Sequence, residues 1–207
     1  MEGKITTKEK IIFQSLHLFS THGYDGVSMR DIAAAVGIKG ASIYNHFKGK
    51  EDIFNAIFSE MTKQYDNAAT MMNIPMEENE DTANVYHKVD EGELLQMAEG
   101  LFEFFTKNDF VVMFRKLLVT EQHKAPQAAK YYKEYYLEAP IFFQSQLFSS
   151  LQLKGDFENY DAKTMALHFY SPVYYILSRF DLGYPYEKCL EDLKSHVHYF
   201  CKIYVKE

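Results

Sequence analysis

Apolar residues recur along this chain at helical rather than strand spacing. Ile12, Leu16 and Phe19 form a stripe that stops at Gly23, a residue suited to ending a helix. Ser28 with Asp31 three residues on has the form of a capping box, and Met29, Ile32, Ala33 and Val36 then fall at i, i+3, i+4 and i+7. Gly37-Ile38 makes a tight turn before a short segment carrying Ile43 and Phe47. Helix, turn and helix thus occupy about twenty residues, the spacing of a helix-turn-helix. A longer helix is predicted after Gly49, with Ile53, Ile57, Met61 and Tyr65 on one face.

The rest of the chain is helical by the same reading. Leu94, Leu95, Ala98, Leu101, Phe102 and Phe105 predict another helix, and Phe110 to Leu118 is apolar enough to be buried on most sides. Pro126 suits the first turn of a helix bearing Tyr131, Tyr132, Tyr135 and Tyr136, which Pro140 is expected to kink or break. The last two helices are the most regular. Ala162, Ala166, Phe169, Val173, Ile176 and Phe180 step by 4, 3, 4, 3, 4, and Leu190, Leu193, Val197, Phe200 and Tyr204 by 3, 4, 3, 4. Gly183-Tyr184-Pro185 joins them into an antiparallel hairpin, and Pro172 is placed to bend the first. Two arrangements suit these seams: a four-helix dimer bundle made by two copies of the hairpin, or packing inside one subunit.

Charge changes this picture. The 207 residues carry 22 Lys+Arg against 29 Asp+Glu, a formal charge of −7 that at first argues against a polyanionic partner. Up to Ile53, however, seven basic residues meet six acidic ones, a net of +1, and the remainder carries −8. Ala33 to Lys50 holds three lysines and no carboxylate, whereas Glu77 to Glu93 holds seven carboxylates against Lys88 and reads as a solvated acidic loop. The 33 aromatics (17 Phe, 16 Tyr) imply a bulky interior. Two cysteines, no apolar run of membrane length and a charged start without a signal-peptide core predict a soluble cytoplasmic protein. Chemistry is otherwise sparse: no His-x-x-x-His pair, Cys-x-x-Cys, phosphate-binding Gly-rich loop or Gly-x-Ser-x-Gly elbow occurs, and His196 and His198 are two apart on a helix. Neither a metal, a cofactor nor catalysis is expected.

Leu18-Phe19, Gly23-Tyr24, Val27-Ser28, Asp31-Ile32-Ala33, Val36-Gly37-Ile38, Ser42 to Phe47 and Lys48 to Ile53 together resemble the N-terminal module of TetR-type transcriptional regulators. The resemblance covers about 45 residues and departs from the family pattern at Lys39, where many members carry Ser or Thr, and at Gly40-Ala41, where the glycine falls one place early. It implies an all-helical protein. A three-helix DNA-binding domain at 1–50 precedes a larger effector-binding and dimerisation domain at 51–207 that ends in a four-helix-bundle dimer hairpin. It also implies a homodimer on a palindromic operator, most simply a repressor released by a small apolar or amphipathic ligand. A helical small-molecule-binding protein or enzyme with a vestigial motif is the competing reading.

A recognition helix of about two turns would present Lys39, Gly40, Ala41, Ser42 and Asn45 to base edges. The resemblance puts Tyr44 and His46 near phosphates and Asn45 closer to the backbone than to a base. Lys50, in the first turn of a helix, suits a phosphate there or is solvated beside Glu51 and Asp52. Ser28 could cap its helix, donate to phosphate, or both, and Lys4, Lys8 and Lys10 could form a mobile arm or a solvated face. In the second domain, Phe102, Phe105, Phe114, Tyr132, Tyr136, Phe142, Phe143, Tyr170 and Tyr174 are candidates for an effector cavity as well as for plain core. Arg115 could anchor an anionic ligand or pair internally, and Arg179 suits the dimer seam. Ligand uptake is expected to shift the helix from Lys50 to Tyr65 and so the spacing of two recognition elements.

Overall fold

In a computed structural model that describes residues 5–71 and 90–206, every regular element is helical. The helices are α1 (Thr7–His22), α2 (Met29–Val36), α3 (Lys50–Met71), α4 (Glu91–Lys107), α5 (Asp109–Glu121), α6 (Pro126–Lys133), α7 (Ala139–Lys154), α8 (Ala162–Asp181) and α9 (Tyr186–Tyr204). A 3₁₀ turn, Ser42–Asn45, follows α2, and a π turn, Glu134–Glu138, joins α6 to α7. Residues 72–89, with most of the expected acidic loop, and Lys4 lie outside the described residues.

The chain divides into two compact units. The first comprises Met1–Asn67 with Asp109–Lys130, and the second Ala68–Asn108 with Tyr131–Glu207. In the first, Ile11, Leu16, Phe19, Ile32, Ile43, Ile53 and Ile57 are buried, as are Val111, Phe114 and Leu117. An aromatic chain runs through it: Phe54 packs edge-on against Phe58 at 4.8 Å, and Phe58 against Phe114 at 5.4 Å. So α5, far along the sequence, completes the core of the N-terminal helices. α1 is held at its start by a full capping box between Thr6 and Glu9, which places Lys8 and Lys10 on a helix rather than on a loose arm.

The second unit packs α4, α7, α8 and α9 around Phe102, Leu147, Phe148, Met165, Phe169, Leu193, Val197 and Phe200. Its prolines are accommodated rather than disruptive. Pro140 falls in the first turn of α7, where a missing N–H is cheapest, and the chain stays helical through the π turn before it instead of breaking. The carbonyl four residues back, that of Tyr136, accepts the Tyr170 hydroxyl at 2.9 Å. Near Pro172 within α8, the carbonyl of Phe169 meets His196 Nε2 at 2.8 Å.

Both seams of the hairpin face into this unit. Ala166, Phe169, Ile176, Leu193, Val197, Phe200 and Tyr204 are buried in its core, and Ala162, Val173, Phe180 and Leu190 pack against it. Seven of the eleven residues assigned to a dimer seam are therefore buried within a single chain, and the other four are half-buried against it. Arg179 likewise pairs with Asp192 and lies 4.4 Å over the Tyr184 ring, bracing the turn between α8 and α9.

Candidate nucleic-acid interface

The first unit supplies one surface suited to a nucleic acid. Ser28 caps α2: its Oγ accepts the Asp31 N–H at 3.3 Å and donates to Asp31 Oδ2 at 2.6 Å, while the Ser28 N–H donates to the same oxygen at 2.8 Å. These bonds hold the Asp31 carboxyl below its ordinary range and make the capping role of Ser28 concrete. α2 ends at Gly37, left-handed at φ 77°, with the Ile38 N–H returning to the Ala33 carbonyl at 3.0 Å. That turn leads into the segment from Lys39 to Phe47.

The segment is shorter than two turns of α-helix. Its regular part is the single 3₁₀ turn Ser42–Asn45, without a side-chain cap at Ala41. Lys39, with no side-chain acceptor, cannot supply the cap that Ser or Thr would, and the Ser42 N–H instead closes a tight bond to the Lys39 carbonyl at 2.8 Å. Ile43 and Phe47 anchor the turn in the core, leaving Lys39, Gly40, Ala41, Tyr44, Asn45 and His46 exposed and Ser42 half-buried. Tyr44 is 58% exposed. Lys8 Nζ stands 5.5 Å from the centre of the Phe47 ring, and with His46 and Lys63 it borders a groove of about 300 Å³.

Lys50 is half-buried and turned toward the backbone of the connection between α1 and α2. Its ammonium donates to the carbonyls of Tyr24 at 2.6 Å and Val27 at 2.9 Å. The N-terminus of α3 is served by Asp52, which accepts the Lys48 N–H at 3.0 Å, while the Lys48 side chain is exposed. Glu121 was not foreseen. Although 97 positions from Tyr24, it is buried and accepts that residue's N–H at 3.3 Å; no local pattern announces such a partner.

The residues proposed to line an effector cavity separate. Phe114 and Arg115 belong to the first unit, where Phe114 is packed on Phe58 in the core and Arg115 is buried. In the second unit Phe102 stacks on Tyr186, Phe143 packs against the core and Phe142 is exposed. The four tyrosines converge: Tyr132 and Tyr174 join hydroxyls, Tyr170 bonds the Tyr136 carbonyl, and Phe105 lies 6.1 Å from the Tyr136 ring. Burial and the Tyr174 hydroxyl raise the Tyr132 phenol well above its ordinary value, so it stays neutral. Burial also raises the Cys189 thiol and pushes Cys201 up to about 12, which leaves both poor nucleophiles. Among the described residues no cluster of His, Cys, Asp and Glu could hold a metal ion, and no helix is long and apolar enough to cross a membrane.

Off the buried seams, α8 and α9 present a second apolar set. Leu167 and Tyr175 on α8, Leu182 at its C-terminal cap, and Tyr199 and Ile203 on α9 are exposed, Tyr175 at 62% and Ile203 at 60%. The sequence held a signal for it, the spacings 167–175–182 and 199–203, masked by the more regular seam.

Residues 11–57 match the family of bacterial regulatory proteins of the tetR type. Over 47 residues the chain is 49% identical to the negative transcriptional regulator IcaR of the icaADBC biofilm operon of Staphylococcus epidermidis, and 51% identical to IcaR of Staphylococcus aureus. Those stretches are 23% of this chain, and the chain spans about a quarter of the length of these relatives (25%). Among solved structures, a Mesorhizobium loti protein assigned to the tetR-family regulators superposes with a TM-score of 0.71 at 20% identity, over 97% of each chain. A transcriptional regulator of Saccharomonospora viridis in complex with choline gives 0.67 at 18%, over 97% of this chain and 98% of that one. SmeT, repressor of the Stenotrophomonas maltophilia efflux pump SmeDEF, gives 0.67 at 15%, over 98% and 92%. These similarities establish the all-helical fold.

Proposed function

We propose that this chain, whose residues 11–57 match the tetR family of bacterial regulatory proteins, is a member of that family and a DNA-binding transcriptional regulator without enzymatic activity. It acts in the cytoplasm as a repressor, binding a palindromic operator as a homodimer and leaving it when a small apolar or amphipathic ligand is bound. The observation that carries this reading is the turn at 39–46, fixed from beneath by Ile43 and Phe47 while its polar side chains stay exposed. We assign DNA reading to residues 1–50, with Lys39 to Ser42 and Asn45 toward base edges and Tyr44 and His46 toward phosphates.

Residues 51–207 take the ligand and the second subunit. The aromatic rings that converge at Tyr132, Tyr136, Tyr170 and Tyr174 support a ligand site in this region. The choline bound to one structural neighbour and the triclosan bound to SmeT support ligand control in a protein of this shape. The apolar face of Leu167, Tyr175, Leu182, Tyr199 and Ile203 supports dimerisation by hairpin against hairpin. Ligand uptake shifts α3 and changes the spacing of two reading turns, which adjacent half-sites about 34–36 Å apart would not tolerate. Fluorescence anisotropy with duplexes tiled across the DNA flanking the gene tests the reading. Selective, salt-sensitive binding that Tyr44→Ala weakens at least tenfold is expected, and equal affinity for every duplex would remove the repressor assignment.

A further inference from the structure

Tyr24 lies in the connection between α1 and α2, and its backbone is held on both sides. Its N–H donates to Glu121 Oε1 at 3.3 Å, and its carbonyl accepts from Lys50 Nζ at 2.6 Å. The same ammonium donates to the Val27 carbonyl at 2.9 Å and stands 4.3 Å from the centre of the Tyr24 ring, which packs on Phe19 at 5.2 Å and Phe54 at 4.8 Å. The first residue of α3 and the last of α5 thus meet on one connection, from opposite sides and with opposite charges. Val27 immediately precedes Ser28, the cap of α2, and α2 leads through Gly37 into the reading turn.

We propose that Lys50 is a positioning residue of the reading head and not a phosphate contact. Together with Glu121 it locks the 24–27 connection, so that α2 and the turn behind it are presented to DNA at a fixed angle to α3. The proposal rests on the DNA-binding reading above. An ammonium has three donors, and two of these are spent on carbonyls while an aromatic face shields one side. Reaching out to a phosphate would strip both carbonyls of their charged donor and give up the ring. Lys48, two residues earlier and exposed, has no such commitment in its side chain and is the natural control.

The test uses the full chain and three variants: Lys50→Met, which keeps the stem without the charge, Lys50→Arg, which restores donors, and Lys48→Met. Affinity for a labelled random-sequence duplex is measured by anisotropy across a salt series, at a temperature where every variant is folded, together with amide hydrogen exchange at Tyr24 to Met29. For Lys50→Met we expect binding about tenfold weaker at every salt concentration, with the wild-type slope of log affinity against log salt. Lys50→Arg is expected to recover to within about threefold of wild type, and Lys48→Met to flatten the slope by about 0.9, as one lost phosphate contact does. Exchange at 24–29 should quicken in Lys50→Met and not in Lys48→Met. A slope flattened by about 0.9 in Lys50→Met would make Lys50 a phosphate contact, and undiminished affinity despite faster exchange would leave it a stability prop; either overturns the proposal. A wild-type chain that binds neither this duplex nor any of those tiled across the DNA flanking the gene overturns the DNA reading itself, whereas exchange indifferent to Lys50→Met overturns the lock alone.

Discussion

The reading turn and the α8–α9 hairpin both hang on regular apolar spacing, yet the two regions relate that spacing to their free surfaces in different ways. In the turn, Ile43 and Phe47 go inward and the residues between them are left outside with polar or aromatic groups. In the hairpin, the stripes that step by 3 and 4 are the subunit's own core, and the apolar residues that remain outside belong to a less regular set. A regular stripe reports that something covers it and says nothing about whether the cover comes from the same chain. Large apolar groups outside the stripe are the more informative ones.

The sharpest way to break this contrast is to cut the seam. Phe200→Ala should cost about 3–5 kcal/mol in urea unfolding while the mass measured by sedimentation stays the same. A halved mass with stability intact would return the seam to the dimer interface. Tyr199→Glu combined with Ile203→Glu should do the reverse, halving the mass while subunit stability changes by less than about 1 kcal/mol. Smaller effects are expected where a single polar bond is cut. Tyr170→Phe removes the hydroxyl that meets the Tyr136 carbonyl opposite Pro140 and should cost about 1–3 kcal/mol, read as a lowered denaturation midpoint. Ser28→Ala should cost about 1 kcal/mol through the lost cap of α2.

The smallest expected effect is electrostatic. Burial lowers the His196 imidazole below its ordinary 6.5, although the Phe169 carbonyl opposes this. As pH falls from 6.5 toward the lowered value, the unfolded chain takes up a proton before the folded one does. Stability should therefore be full above 6.5 and decline over that window, and His196→Gln should flatten the decline in a pH series of melting temperatures.

How much of this was legible in advance follows the range of the interactions. The cap at Ser28 and Asp31, the turn at Gly37 and the anchors Ile43 and Phe47 are local, and each could be read from its neighbours in sequence. The reading segment was predicted too long, because the departure at Lys39 removes a side-chain cap and leaves a 3₁₀ turn. Pro140 was expected to interrupt its helix, but the compensating hydroxyl comes from Tyr170, 34 residues away from the carbonyl it serves. Lys50 and Glu121 carry the same lesson further. Their meeting at Tyr24 is a property of the packed head and leaves no trace in spacing.

The π turn at Glu134–Glu138 has a consequence for counting residues. Each residue of an α-helix turns the next by about 100°, so one added residue would rotate everything beyond it unless a stretch is wound one residue wider to absorb it. A relative one residue shorter between Lys133 and Ala139 would keep an unbroken α-helix there. Its aligned letters for Leu147, Phe148 and Leu151 would still point into the core these residues fill here, because the π turn absorbs the extra residue that would otherwise rotate α7 by about 100°. Within this stretch, a gap of a single position removes the π turn and leaves the facing of α7 unchanged.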